Sequence, residues 1–303
     1  MTQTYLLTAY APKLTVQAAL LAHDEIEDWD PELVVTGREI AEDKPDDWVL
    51  EGYYPRKPGV PEHKAISGLF AGKAPKISAE KLKEQNWLAL SQQGVQPIRA
   101  GSFHIHTPDF APDPKAINFT IPAAQAFGTG QHETTAGCLE MLEVVKRSGL
   151  AARRIADIGT GTGLLAFAAM HLWPKARATA SDIDPVCADV VLENAKLNSI
   201  PIGSSSGALT MVIADGMHDP LLSLRGPYDL LMANILAGPL IDLAPDFAAA
   251  VAPKGSLVLA GLLAGDQENE VRRAYRRAGF RPTARVQRGD WTILWMRRRA
   301  TRG

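Results

Sequence analysis

Cysteine is scarce. The 303 residues hold two, Cys138 and Cys187. That excludes a disulfide framework, and without a C-x-x-C pair it excludes a cysteine zinc site. It fits a reducing, cytosolic setting. An excess of one charge is missing too. Lys and Arg number 32 against 34 Asp and Glu, a net charge of −2, which argues against a uniformly basic nucleic-acid binder. No run of roughly 18 uncharged apolar residues occurs, so no membrane span is expected. The start, MTQTYLLTAY, has neither the basic segment nor the long apolar stretch of a signal peptide. What remains is a globular composition, 46% apolar and 22% charged, long enough for two domains.

The small net charge hides two uneven stretches. From Asp24 to Asp47 there are eleven acids against two bases, Arg38 and Lys44. From Val271 to the end there are eleven arginines against one acid, Asp290. Each is either a solvated face or a functional one: the acids attract a basic partner, and the arginines contact RNA phosphates.

The first hundred residues read as a small α+β domain. Strands are expected at Thr4–Ala9, Leu33–Thr36, Trp48–Tyr54 and Pro97–His106. Helices are expected at Lys13–Ile26, with an apolar face through Leu14, Ala18 and Leu21, and at Ser78–Leu90, with a serine N-cap and Leu82 and Trp87 in the pattern. That order is a ferredoxin-like split unit. The stretch Val60–Ile77, rich in Pro, Gly and Lys, has no assignment. Three prolines between Thr107 and Ala116 suggest an inter-domain connection. The expected organisation is therefore a domain over 1–106, a linker over 107–116 and a second domain over 117–303.

In the second domain strands and helices alternate. Strands at Arg154–Ile158, Ala176–Ser181, Leu209–Ala214, Tyr228–Ala233 and Ser256–Ala260 are separated by helices at Leu164–Trp173, Pro185–Asn198 and Pro239–Val251, and a helix at Asp266–Ala278 follows. This predicts an α/β fold with a mainly parallel sheet covered on both faces. Thr283–Gln287 and Trp291–Met296 flank an Arg-Gly-Asp turn, so the sheet closes on an antiparallel hairpin.

The run Asp157-Ile-Gly159-Thr-Gly161-Thr-Gly163 lies between a strand and a helix. Its glycines permit a sharp turn and close approach of a ligand. Their spacing is G-x-G-x-G rather than the dinucleotide pattern G-x-G-x-x-G, which argues against a nicotinamide dehydrogenase. A preceding acid, with no phosphate-binding Lys, suits a cationic ligand such as the sulfonium S-adenosylmethionine. Asp182 follows Gly163 by 19 residues and can accept both ribose hydroxyls. Asp184 suits an N-cap. Asp215, after the third strand, can accept an adenine amino group, and Asn234 ends the fourth.

This arrangement resembles the Class I S-adenosylmethionine-dependent methyltransferases, which have a Rossmann-like seven-stranded sheet with the same closing hairpin. Two further runs, Ala126-Phe127-Gly128-Thr129-Gly130-Gln131-His132-Glu133-Thr134-Thr135 and Asn234-Ile-Leu-Ala-Gly238-Pro239, together look like the bacterial PrmA family. Its members methylate large-subunit ribosomal protein eleven with a small N-terminal recognition domain, a linker and a catalytic domain. The resemblance implies that Thr135, Gly159, Asp182 and Asn234 contact the cofactor, with Asp215 at the adenine. It also implies trimethylation of lysine and N-terminal amines in the cytoplasm. Physically, Phe127 can cover an apolar cofactor surface, and Thr134 and Thr135 can cap a helix over Thr135–Val145 and donate hydroxyls to the methionine end. Asn234, a donor and acceptor on a short side chain, is the expected catalytic residue. Asp157, Gly161 and Gly163 complete the expected cofactor site.

No residue declares itself as a general base; His132 is a weak candidate. His104 and His106 share one side of a strand but lack a third metal ligand, and no metal is expected. Asn-Ile-Leu-Ala, unlike the Asn-Pro-Pro-Tyr of DNA and glutamine amide methyltransferases, argues against a flipped base or planar amide substrate. Open alternatives are methylation of RNA or of a small-molecule amine, and a non-catalytic cofactor-binding module. A monomer without membrane attachment is expected.

Overall fold

The computed structural model describes residues 4–24, 26, 29–30, 32–40, 46–72, 74–81, 96–122 and 131–300. Contacts divide the chain into two units, Met1–Leu90 and Ser91–Gly303.

The first unit runs β1 (Tyr5–Pro12), α1 (Lys13–Asp24), β2 (Val34–Glu39), β3 (Asp47–Tyr54), α2 (Val60–Gly68) and β4 (Ile77–Lys81). The sheet order is β2-β3-β1-β4 with every pairing antiparallel. This is the ferredoxin-like arrangement, built from different segments than expected. The unassigned stretch supplies the second helix. Pro61 sits in its first turn, and the Glu62 carboxylate accepts from the Gly59 amide at 2.7 Å. Proline has no N–H to lose there, so the Pro-Gly-rich sequence starts a helix instead of blocking one. Ser78 is no N-cap; it lies opposite Thr8 in the sheet, their hydroxyls 2.6 Å apart. The rest of the helix expected over Ser78–Leu90, from Leu82 on, lies outside the described residues.

Helix α1 turns a different face inward than its spacing suggested. Leu14 is 79% exposed and Ala18 is exposed, whereas Val16 and Ala19 are buried. Gly37 explains this. A Cβ there would meet Leu20 and Val16 at 2.8 and 2.9 Å, so the helix seats on β2 over a glycine.

The second unit begins with a small sheet, β5 (Ile98–Ala100), β6 (Phe103–His106) and β7 (Ile117–Thr120). The boundary expected after His106 thus falls earlier, because β5 and β6 pair with β7 in this unit. Residues 107–116, expected as a linker, join β6 to β7. They are pinned: Asn118 accepts from the Asp113 amide at 2.8 Å and donates to the Asp113 and Ala116 carbonyls. His104 and His106 are buried and stacked, each tied through Nδ1. Among the described residues no cluster of metal-ligating side chains occurs.

Then follow α3 (Gln131–Arg147), β8 (Arg154–Ile158), α4 (Leu164–Leu172), β9 (Arg177–Asp182), α5 (Val186–Leu197), β10 (Leu209–Ile213), α6 (Pro220–Arg225), β11 (Tyr228–Asn234), α7 (Ala237–Asp242), α8 (Ala244–Ala250), β12 (Val251–Leu263), α9 (Asp266–Arg277), β13 (Phe280–Arg288) and β14 (Trp291–Arg298). The helix expected over Pro239–Val251 is two short helices. The seven strands order β10-β9-β8-β11-β12-β14-β13, parallel except β14. Alternation along β8 sends Ile155 to one core and Ala156 and Ile158 to the other. The first core lies under α3, α4 and the small sheet, the second under α6 to α9. Both faces are covered, as a doubly wound sheet requires.

One buried ion pair ties α9 to the closing hairpin. Glu268, 4% exposed, accepts from Arg285 at 2.8 and 2.9 Å, from Arg272 at 3.2 Å and from Thr292 at 3.1 Å. The Arg285 bonds hold its pKa below the usual carboxylate value. A depressed carboxylate stabilises the fold above its unfolded pKa and loses that contribution as pH falls through the folded one. Glu268→Gln should lower unfolding stability by roughly 2–3 kcal/mol at pH 7. The loss should shrink on acidification below about pH 4, as denaturant titrations across pH will show.

Candidate cofactor and active site

Strand β8 has β9 on one side and β11 on the other, so the chain order reverses at the β8–β11 junction. In open α/β sheets ligands bind at this switch point, beyond the carboxyl ends of the strands. The glycine run leaves β8 there, and Asn234 ends β11.

The turn is fastened before any ligand arrives. The amides of Gly159 and Thr160 donate to the Ser181 carbonyl at 2.8 and 2.9 Å. Gly161 N donates to Asp182 Oδ2 at 2.8 Å. Gly163, with φ of 84°, is the N-cap of α4 and has no side chain to cap it. Asp157 does so instead. Its Oδ2 accepts from the Ala166 amide at 3.1 Å and from Thr160 Oγ1 at 2.7 Å, satisfying one of the donors a helix start leaves free.

Asp157 was expected to touch the cofactor; it is 1% exposed and holds the turn. Its other oxygen, Oδ1, is buried and has no hydrogen-bond partner among the described residues. Burial raises its pKa to about 6, and Asp182 nearby adds a little; the two bonds at Oδ2 oppose the rise.

Asp182 has accepting capacity left. One oxygen takes Gly161 N and the other takes Asp184 N at 3.1 Å, and a carboxylate accepts about four bonds. Asp184, expected as the N-cap, stands just before the N-cap Pro185 and accepts from Val186 N at 2.9 Å. Between the acids Ile183 is 65% exposed, an apolar surface that the sequence reading did not single out. Asp215 is exposed beyond β10. Among the described residues nothing lies within 4 Å of where a Cβ on Gly161 would stand, which leaves room beside the turn.

Ile235 interlocks the two strand ends. A Cβ on Gly159 would meet its Cγ2 at 2.2 Å, and a Cβ on Gly261 would meet its carbonyl at 2.2 Å. Asn234 is thereby carried to the first turn of α3, where Asn234 Nδ2 donates to Thr134 Oγ1 at 3.3 Å. Helix α3 is held in turn by the hairpin. A Cβ on Gly137 would meet Ile293 Cδ1 at 2.2 Å, and Arg288 pairs with Glu140. Thr134 is buried and Thr135 half-buried. Phe127 and the side chain of His132 lie outside the described residues. Glu133, also not singled out from sequence, is exposed with its carboxylate over Gly289.

Two distant motifs thus meet at one crevice. The family described as "Ribosomal protein L11 methyltransferase (PrmA)" matches residues 22–299. The chain belongs to this family. A curated ribosomal protein L11 methyltransferase from Rhizobium meliloti (strain 1021) is 42% identical over 224 residues, covering 73% of this chain and 74% of the relative. One from Agrobacterium fabrum is 37% identical over 261 residues, covering 85% and 87%. A solved structure of ribosomal protein L11 methylase from Lactobacillus delbrueckii subsp. bulgaricus aligns with a TM-score of 0.57 at 27% identity, covering 68% of this chain and 100% of that one. As a PrmA-family member the chain is a methyltransferase, and membership implies dependence on S-adenosylmethionine. The donor set fits that group: spare acceptors at Asp182 for a diol, room beside Gly161, and acids for a cation.

A raised carboxylate pKa has a consequence for stability. The folded state favours neutral Asp157, so its contribution is intact below the unfolded pKa and is lost as pH rises through about 6. Asp157→Asn keeps an acceptor for both Oδ2 bonds and removes the charge. Stability of this variant should no longer fall between about pH 4 and pH 6, and chemical denaturation at several pH values measures it.

Proposed function

We propose that this protein methylates lysine side-chain and N-terminal amines of large-subunit ribosomal protein L11, to the trimethyl state, with S-adenosylmethionine as donor. The contact between Asn234 and Thr134 carries this reading, because it joins two motifs 100 residues apart at the switch point. The names of the relatives support the substrate.

Asp182 takes the ribose diol and Asp215 the adenine amino group. Gly159, Gly161 and Gly163 let the backbone approach the ligand, and Thr134 and Thr135 take the methionine end. Asp157 acts through the turn it fastens. When bound, the cofactor supplies an electrophilic methyl on its sulfonium.

The chain must do the rest. A lysine amine of pKa near 10.4 arrives protonated at neutral pH. The exposed acids at the strand ends attract that ammonium, and Glu133 beside Thr134 adds to them. Once the proton has left, Asn234 Oδ1 accepts an N–H of the neutral amine and aims its lone pair. The bond from Nδ2 to Thr134 supports this assignment, since it leaves the amide oxygen to accept. Such orientation contributes up to roughly 7–11 kcal/mol. Each further methyl repeats the deprotonation; the neutral dimethylamine of the third round has no N–H left, so Asn234 orients the amine in the first two transfers only.

The acidic stretch of the first unit suits a basic protein substrate. Asp30, Glu39, Asp46 and Asp47 are exposed, and Arg38 is committed to the buried Glu51 at 2.8 Å. Among the described residues no helix is long and apolar enough to cross a membrane; we place the protein in the cytoplasm as a monomer.

Incubation with labelled S-adenosylmethionine and the free large-subunit ribosomal proteins should label L11 at lysine and N-terminal amines. Tight cofactor binding with no label on L11 overturns the reading. Asn234→Ala should lower kcat by roughly 100-fold. Neutralising Asp30, Glu39, Asp46 and Asp47 together should raise KM for the protein substrate, most at low salt. An unchanged KM would remove these acids from recognition.

A further inference from the structure

The arginine-rich end of the chain divides into two groups once folded. Arg272 and Arg285 pair with Glu268, and Arg288 pairs with Glu140. These three share two carboxylates and lie on α9 or toward the β13–β14 turn. Strand β14 runs antiparallel to β12. Its last residues therefore emerge at the amino ends of the parallel strands, on the edge of the sheet opposite the glycine turn.

That edge collects cations from segments far apart in sequence. Along the order β9-β8-β11-β12-β14-β13, Arg177 starts β9 and Arg154 starts β8. Lys254 lies near the start of β12, Arg297 is near the end of β14, and Arg281 pairs with Arg297 from β13. All five are exposed. Arg298 and Arg299 follow on the same edge.

Several of these guanidinium groups are fixed by main-chain carbonyls rather than by carboxylates. Arg154 donates to the Gly226 carbonyl at 2.5 Å and Arg297 to the Lys254 carbonyl at 3.2 Å. Arg298 donates to the Val251 carbonyl. Arg225, behind Arg177, donates to the Ala178 carbonyl at 3.0 Å. A carbonyl positions a guanidinium without cancelling its charge. The Asp229 carboxylate stands near them, and its Oδ2 already accepts from the Arg153 and Arg154 amides at 2.8 and 3.0 Å. Between the Ser148–Ala151 segment and Lys254 and Arg297 the edge holds a polar concavity of about 270 Å³.

We infer that this edge binds the phosphate backbone of RNA. Strands about 4.8 Å apart make the row from β9 to β13 roughly 24 Å long. That is a stripe of preset positive charge running along a polyanion, not a pocket for one anion. Guanidinium forks suit phosphate oxygens. Contacts to phosphate carry no sequence information, so binding follows backbone charge and not sequence. The choice of RNA over other polyanions rests on the proposed ribosomal substrate. The binding itself is read without any methylation step, so failure of one leaves the other standing.

The test is fluorescence anisotropy of the full chain with a labelled RNA hairpin, titrated from about 50 to about 200 mM salt. Arg177→Glu, Lys254→Glu and Arg281→Glu are combined in one variant; each side chain is exposed. A control variant carries Lys57→Glu and Lys64→Glu on the first unit, also exposed. Binding should weaken at least about tenfold in the first variant, with the log–log salt slope shallower by about 2–3, and little in the control. Cofactor affinity and labelling of the free substrate protein should be unchanged in both, which confirms the fold. No binding of the hairpin by the unaltered protein overturns the inference. So does equal weakening in the control, or binding to vesicles rich in phosphatidylserine without binding to the hairpin.

Discussion

The site depends on how one turn satisfies its backbone. The chain leaves β8 and enters α4 through three glycines, which supply no side chain to cap the helix or occupy the turn's amides. The partners come from neighbouring strands. Asp157, inside, caps α4 through Ala166 N. Ser181 and Asp182, on β9, take the amides of Gly159, Thr160 and Gly161. The acid proposed for the ribose is thus also a strut of the turn. Its position is set before a ligand binds, so little ordering cost remains for binding.

The second half of the crevice depends on the far end of the chain. Asn234 meets Thr134 because α3 lies close on β14, and it can do so because Gly137 leaves room for Ile293. Arg288, at the hairpin turn, locks α3 through Glu140. Glu268 locks the hairpin to α9. The closing hairpin is therefore a support of the active site. The antiparallel direction of β14 lets a tight turn join it to β13, where a seventh parallel strand would have needed a crossover.

Much of this was legible because local chemistry agreed with global position. Alternating apolar runs, each ending in Gly, Asp or Asn, gave the strands, their order and the ligand edge. Asp184 read as the N-cap; that place falls to Pro185, and Asp184 takes the amide of Val186 from one residue before it. The errors arose where tertiary contacts overrode local pattern. Ser78 followed by an apolar periodicity resembles a helix start, but β1 offers it a strand edge with Thr8 opposite. Leu14 fits a helical stripe, yet the glycine at position 37 selects Val16 and Leu20. Prolines within 107–116 suggested a linker; Asn118, two residues beyond, folds that segment onto itself. Asp157 looked like a ligand contact because it precedes the glycines. Only the depth of β8 shows that its oxygen faces α4. Contacts such as Gly137 with Ile293 leave no local signal, since a helical glycine has no distinct pattern until the strand beneath it is known.

The net charge of −2 conceals a division that the sheet imposes. In parallel strands every carboxyl end points one way, and Asp157, Asp182, Asp215 and the Asn234 amide gather there. A cationic amine is drawn to that edge. Every amino end points the other way, and Arg154, Arg177 and Lys254 gather there, joined by Arg297 because β14 alone runs in reverse. The same arginine run supplies both sides: Arg272, Arg285 and Arg288 meet glutamates, and Arg297 and Arg298, at the end of β14, meet carbonyls. Sequence position alone could not separate these groups, since they differ only in the strand direction that carries them. Opposite edges of one sheet can then hold opposite charges without mutual cancellation. Their separation, several strand residues at about 3.3 Å each, exceeds the screening length of about 8 Å at physiological salt.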